Sequence, residues 1–206
     1  MARERHIVII GGGAIGSSIA YFTLADPAFT GRVTVIERDP TYARASSALS
    51  ASSIRQQFST EVNVRIGQFG IGFLREIGRH LAVDGDAPDV GLVEPGYLFL
   101  ATPPGEPVLR ENALAKRFPW LAVDDLALGS HGTAGEGWFD GYALLQAFRR
   151  KARALGATYV ASEAVGFERT GEVINAVVLA DGTTLAGDVF VNAAGPWARR
   201  VANWAD

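Results

Sequence analysis

The hydrophobic pattern changes period several times along the chain, and each change predicts an element. Ile7 to Ile10 is a continuous apolar run that stops at Gly11-Gly12-Gly13, as a strand buried on both faces does when it enters a turn. Ile15, Ile19, Phe22 and Leu24 then recur at helical spacing, and Arg32 to Glu37 predicts a second strand. Ala43 to Ser53 holds five serines and no element signal, so it reads as a loop able to wrap a ligand. Thr60 to Leu81 predicts one long amphipathic helix, with Ile66, Phe69, Phe73, Leu74, Ile77 and Leu81 on a core-facing stripe and Arg65, Arg75 and Glu76 off it. Asp84 to Pro95 reads as loop, Gly96 to Ala101 as a strand, Pro103, Pro104 and Pro107 as a turn, and Leu109 to Phe118 as a short helix. Asp140 to Leu155 predicts a second amphipathic helix, Leu144, Leu145, Phe148, Ala152 and Leu155 inward, with Asp140 as its N-cap and Gly156 as its stop. Strands are expected thereafter at Ala157 to Ala161, Val165 to Glu168, Val173 to Leu179 and Leu185 to Asn192. Gly171-Glu172 and Asp181-Gly182 supply the hairpin turns, and Asn192 to Trp197 forms a small-residue turn into a helix.

The order strand, glycine turn, helix, strand at the start of the chain predicts an α/β fold opening with a βαβ unit for a dinucleotide. Gly11 permits the tight turn, Gly13 lets a pyrophosphate approach the backbone, and Gly16 lets helix and strand pack closely. The amides that open the helix then face the anion. Glu37 follows Gly16 by 21 residues, close to the spacing of about 20 at which a carboxylate reaches both hydroxyls of an adenosine ribose. That carboxylate disfavours a 2′-phosphate and hence NADP. The uncharged stretch Ile7 to Ala25, preceded by Arg3 and Arg5, superficially resembles a signal or membrane segment, but its glycines would break a spanning helix.

Charge narrows the function further. With 19 basic and 22 acidic residues the net charge is −3, without a basic stripe interleaved with aromatics, so nucleic acid is not an expected partner. The absence of cysteine excludes disulfides, thiolate metal sites and thiol nucleophiles. His6, His80 and His131 are too scattered for metal-ligand spacing, so no metal is expected.

Several stretches together resemble the FAD-dependent amine and amino-acid oxidoreductases of the D-amino-acid oxidase superfamily, nearest the glycine oxidase, sarcosine oxidase and sarcosine dehydrogenase branch. These are Ile7 to Gly16, Glu37-Arg38-Asp39, Ser46-Ser47, Ile54 to Ser59, Gly96 to Phe99, Asp140 to Leu155 and Asn192 to Trp197, of which Ile-Arg-Gln-Gln-Phe-Ser and Asn-Ala-Ala-Gly-Pro-Trp are the most diagnostic. The resemblance implies a Rossmann-like FAD-binding βαβ domain with part of a mixed-sheet substrate domain. It implies FAD contacts at Gly11, Gly13, Ala14, Ile15 and Gly16 for the pyrophosphate, at Glu37 for the adenosine ribose, and at Arg38. Further contacts are implied at Ser46 and Ser47 for the phosphate region, at Val165 for the adenine, and at Ala194 and Gly195 along the cofactor. Arg55 corresponds to a basic position near the flavin ring, where a cation stabilises reduced flavin and attracts a substrate carboxylate. Ala51-Ser52-Ser53 departs from the glycines common in relatives.

The resemblance further implies FAD-binding segments at residues 1–85 and 146–206, part of a substrate domain at 86–145, and an N-terminal half of a chain about twice as long. A fragment of this kind is expected to expose sheet edges and apolar surface and to retain flavin poorly. The implied reaction is oxidation of a small amine or amino acid, with oxygen or an electron carrier as acceptor. A cytoplasmic setting and no transmembrane segment are expected. Rival readings are a noncatalytic FAD-binding or assembly module and, because a βαβ unit serves either cofactor, an NAD-dependent dehydrogenase.

Overall fold

The computed structural model describes residues 4–101 and 111–205. In chain order the elements are β1 (His6–Ile10), α1 (Ala14–Ala25), β2 (Arg32–Glu37), β3 (Ser53–Ile54), α2 (Glu61–Arg75), α3 (Ile77–Leu81), β4 (Tyr97–Ala101) and α4 (Glu111–Arg117). These are followed by β5 (Leu128–Gly132), β6 (Gly137–Trp138), α5 (Gly141–Ala154), β7 (Thr158–Ala161), β8 (Ala164–Thr170), β9 (Val173–Leu179), β10 (Thr184–Ala186), β11 (Val189–Asn192), a 3₁₀ turn at Gly195–Trp197 and α6 (Ala198–Ala202). They form two compact units. The first comprises Met1–Ala51, Ile77–Val90 and Asp140–Asp206, the second Ser52–Glu76 and Gly91–Phe139.

The first unit is built on a parallel sheet in the order β11-β1-β2-β7, with Ile9 paired to Val191 on one side and to Val35 on the other. Alternation along β1 divides its residues between two buried faces. Val8 and Ile10 pack with Ile36, Val177, Leu179 and Val201, so a three-stranded antiparallel sheet, β10-β9-β8, covers one face. Ile9 points the other way, toward α1, where α1 and α5 pack together through Tyr21, Phe22 and Phe148. Burial on both faces explains why β1 carries no polar alternation. Asp140 caps α5 as expected, its carboxylate accepting from the amides of Tyr142 and Ala143 at 2.9 Å each. Among the described residues no helix is long and apolar enough to cross a membrane.

The structure departs from the sequence pattern at specific places. Helix α1 turns Gly16, Ser17, Ala20 and Tyr21 inward and leaves Ile15 67% exposed, because small residues let the helix axis lie close to the sheet. The expected strand over 185–192 is two strands. Gly187 passes so close to β1 that a Cβ would lie 2.8 Å from Val8 Cγ2, and Asp188 accepts from the His6 amide at 2.8 Å. β10 thus stays with its hairpin while β11 joins the parallel sheet.

In the second unit β4 pairs antiparallel with β5, and β3 with β6. Neither β5 nor β6 announces itself in the sequence, since Leu-Gly-Ser-His-Gly has little of the β-branched or aromatic content of a strand. The predicted helix over 60–81 is broken at Glu76, whose φ of −108° and ψ of 18° end α2. Gly67, Ile71 and Leu74 form the buried side of α2, while Ile66 and Phe69, expected inward, are 62% and 63% exposed. The expected proline turn lies outside the described residues, as does the start of the helix before α4.

His6 gives the first unit a pH-dependent element. Its ring is buried, with Nε2 sharing a 2.9 Å hydrogen bond with Thr34 Oγ1. Burial, and secondarily the charge of Arg32, hold its pKa below the ordinary 6.5. The folded state therefore binds fewer protons than the unfolded chain, so this contribution to stability is complete above about pH 6.5 and is lost as pH falls through the lowered value. Urea midpoints measured between about pH 7.5 and 5.5 are expected to fall for the natural chain and to flatten in His6→Gln.

Candidate nucleotide-binding site

Between β1 and α1 the backbone turns with Gly11 at φ +103°, a conformation that costs glycine little and other residues much. A Cβ at Gly11 would lie 2.4 Å from the carbonyl oxygen of Ala193, so the turn also sits directly against the segment after β11. A Cβ at Gly16 would lie 1.8 Å from the Gly11 carbonyl oxygen and 3.3 Å from Ile9 Cγ2. At Gly13 a Cβ would meet nothing within 4 Å, and the residue borders open pocket. The amides of Ala14, Ile15 and Gly16 begin the helix, where no carbonyl one turn back can accept them and the helix dipole is positive.

Glu37 ends β2 beside this turn. Its Oε2 accepts from the Gly12 amide and its Oε1 from the Asp39 amide, both at 2.8 Å. Each oxygen retains a second acceptor direction, so the side chain can brace the turn and still receive a ribose hydroxyl. Behind the turn, Ser17 Oγ donates to the Gly12 carbonyl at 2.7 Å and receives the Tyr159 hydroxyl at 3.0 Å. Tyr42 is fully buried at φ +58°, a strained conformation for an aromatic residue, and burial pushes its phenol up to about 12. It stays a neutral donor at any physiological pH.

One pocket in the first unit gathers most of the expected contacts: Gly11, Gly13, Ala14, Ile15, Glu37, Arg38, Ser46, Ser47, Ala194 and Gly195 all line it. Gly16 lies under the turn, not on the pocket wall. Val165 is not on the wall either; Ser162, Glu163 and Ala164, just before it, are. The pocket also takes Tyr42, Arg44, Trp197 and Arg200, which sequence reasoning did not single out. Arg38 stacks 3.9 Å over the Trp197 ring, and both Arg38 and Arg200 approach Glu163 Oε1, at 3.8 and 3.4 Å. The Gly-Pro-Trp run carried the signal for Trp197; nothing local marked Tyr42. Three arginines, Arg38, Arg44 and Arg200, share this lining with three carboxylates, Glu37, Asp39 and Glu163, so it offers a pyrophosphate individual guanidinium donors rather than a net positive charge.

Arg55 belongs to the second unit. Its guanidinium lies 5.0 Å from the Phe58 ring, 5.1 Å from Phe99 and 6.0 Å from Tyr97. Distances of this order permit cation–π attraction. Its backbone is pressed against α2, where a Cβ on Gly67 would lie 2.6 Å from the Arg55 carbonyl oxygen.

A parallel-sheet unit with a glycine turn, a helix N-terminus and a strand-end acid around one pocket defines a dinucleotide-binding protein. The sequence profile of the DAO family, described as FAD dependent oxidoreductase, matches residues 6–205, and the chain belongs to that family. It is similar to FAD-dependent oxidoreductase domain-containing protein 1 of Xenopus laevis, 37% identical over 97% of this chain and 48% of the relative, and of Bos taurus, 40% identical over 78% and 37%. The chain thus spans about half the length, or less, of these curated relatives. In fold it resembles the L-proline dehydrogenase of P. horikoshii, with a TM-score of 0.80 at 24% identity over 100% of this chain and 56% of that one. The glycine oxidase of Geobacillus kaustophilus follows with a TM-score of 0.75 at 24% identity, over 97% and 58%. Membership makes FAD, rather than NAD, the cofactor, and the open space at Gly13 beside first-turn amides fits its pyrophosphate.

Two glycine substitutions separate packing from ligand access. Gly16→Ala is expected to destabilise the cofactor-free chain by about 1–3 kcal/mol in urea unfolding, through overpacking against Gly11. Gly13→Ala is expected to leave that stability within about 0.5 kcal/mol while weakening FAD binding by about tenfold or more in calorimetric titration.

Proposed function

We propose that this chain supplies the cofactor-binding half of an enzyme that oxidises a small amine or amino acid, of the glycine, sarcosine or D-amino-acid type. The observation that carries this reading is Arg55. Among the described residues its guanidinium makes no hydrogen bond or ion pair and is instead held among Phe58, Tyr97 and Phe99. A cation kept among rings and away from carboxylates is available to an incoming carboxylate. The names of the proline dehydrogenase and glycine oxidase that share the fold support the same substrate class.

In this reading the Gly11–Gly16 turn holds the pyrophosphate, Glu37 the ribose with Arg38 as a further contact, Ser46 and Ser47 the phosphate region, the strand backbone at Val165, next to the pocket-lining Ala164, the adenine, and Ala194 and Gly195 the length of the cofactor. Bound FAD supplies a hydride acceptor for the substrate α-carbon, leaving an imine that water hydrolyses. Arg55 neutralises the substrate carboxylate and fixes its orientation, and the Phe58, Tyr97 and Phe99 rings exclude water from that contact. Oxygen or an electron carrier takes the electrons onward.

The reading is tested by anaerobic bleaching of the flavin with sarcosine and with dimethylamine, its carboxylate-free counterpart. Arg55→Met is expected to raise the half-saturating sarcosine concentration about tenfold or more, since a charged hydrogen bond is worth about 1.5–3 kcal/mol, and to leave dimethylamine nearly unaffected. Equal losses for both would remove Arg55 from carboxylate recognition. A flavin bleached by no amine or amino acid would favour a noncatalytic FAD-binding module.

A further inference from the structure

Glu136 is the one buried acidic side chain among the described residues, at 1% exposure. Its carboxylate is spent on the two residues that follow Arg55. Oε1 accepts from the Gln56 amide at 2.6 Å and from the Gln57 amide at 3.1 Å, while Oε2 accepts from Gln57 Nε2 at 2.8 Å. Space for it exists only because residue 132 is glycine: a Cβ there would fall 1.7 Å from Oε2.

Gln57 extends the grip to both strands of the neighbouring pair. Its Nε2 also donates to the Tyr97 carbonyl on β4 at 2.9 Å, and its Oε1 receives the Ser130 hydroxyl on β5. Tyr97 and Phe99, two walls around the Arg55 guanidinium, stand on that same β4. One buried carboxylate, about 80 residues along the chain from Gln56, therefore holds the backbone that carries the cation and, through Gln57 Nε2, links it to the strand that carries its rings. An apolar side chain here would leave these donors unpaired, and the cost of burying a carboxylate is offset only by such hydrogen bonds.

We propose that Glu136 is the positioning residue of the Arg55 site, holding Gln56 and Gln57 so that the Arg55 guanidinium stays aimed between Tyr97 and Phe99. The consequence for carboxylate recognition rests on the function proposed above; the positioning itself does not. Glu136→Gln keeps the size but removes the charge and turns one acceptor into a donor that faces other donors.

The test reads Arg55 directly. In the full chain, the Arg55 Nε–H resonance is assigned by loss in Arg55→Lys. It is expected to move by more than its linewidth and broaden in Glu136→Gln. The Arg75 resonance, whose Nε donates to Glu94 at 2.9 Å in the same unit, is expected to stay. Propionate is expected to bind the FAD-loaded variant about tenfold more weakly, with propionamide unchanged. An Arg55 resonance that does not move in folded Glu136→Gln overturns the proposal and leaves Glu136 a packing element. Should that variant fail to fold, Glu136→Asp, which keeps the charge but shortens its reach to Gln56 and Gln57, decides in the same way: a shift at Arg55 supports the proposal and an unmoved resonance overturns it. A shifted resonance with propionate affinity intact supports the positioning role and counts instead against Arg55 as the carboxylate receptor.

Discussion

The first unit depends on three backbone segments meeting with no side chain between them. The Gly11 carbonyl lies where a Cβ of Gly16 would be, and the Ala193 carbonyl lies where a Cβ of Gly11 would be. The first approach sets α1 against β1, and the second sets the segment after β11 against the same turn. Because β11 is the last strand in sequence and β1 the first, this contact joins the ends of the described chain into one pocket wall. Gly11, Gly13, Ala194 and Gly195 stand together on that wall. A larger residue at either glycine would have to push apart structures fixed by the sheet register, and close-packed interiors yield little.

Around that turn the charges divide their work. Glu37 is committed to two backbone amides and still has acceptor capacity toward the pocket, so one side chain serves both fold and ligand. Arg38 and Arg200 are tethered loosely, through Glu163 and the Trp197 face, at distances and exposures where ion pairs contribute little to stability. Their value lies in the guanidinium donors they hold at the pocket, where three arginines are matched by three carboxylates. The second unit uses the opposite arrangement, with a buried carboxylate fully satisfied by neutral donors and a cation left among rings.

How much of this is legible in the sequence depends on whether the signal is local. The glycine turn, Glu37 and the Asp140 cap are short-range patterns whose physics is complete within a few residues, and each stands where its pattern puts it. Helix faces are less legible. Ile15 and Phe69 are large, apolar and at helical spacing, yet the buried sides of α1 and α2 are set by Gly16, Ala20 and Gly67, because close approach favours small residues over large ones. The strand break at Gly187 and Asp188 depends on β1, about 180 residues away, and the Glu136 network joins residues about 80 apart. No window of sequence contains those pairs. The roles expected of Ser46, Ser47 and Arg55 have no periodic signal at all and come from the family resemblance alone.

The most direct measurement of the central claim is a calorimetric titration of the cofactor-free chain with FAD, with ADP and with NAD. A site built from this turn, Glu37 and the pocket's arginines predicts one FAD per chain, competition by ADP through the shared adenosine and pyrophosphate, and distinctly weaker binding of NAD. Binding of NAD in preference to FAD would contradict the account.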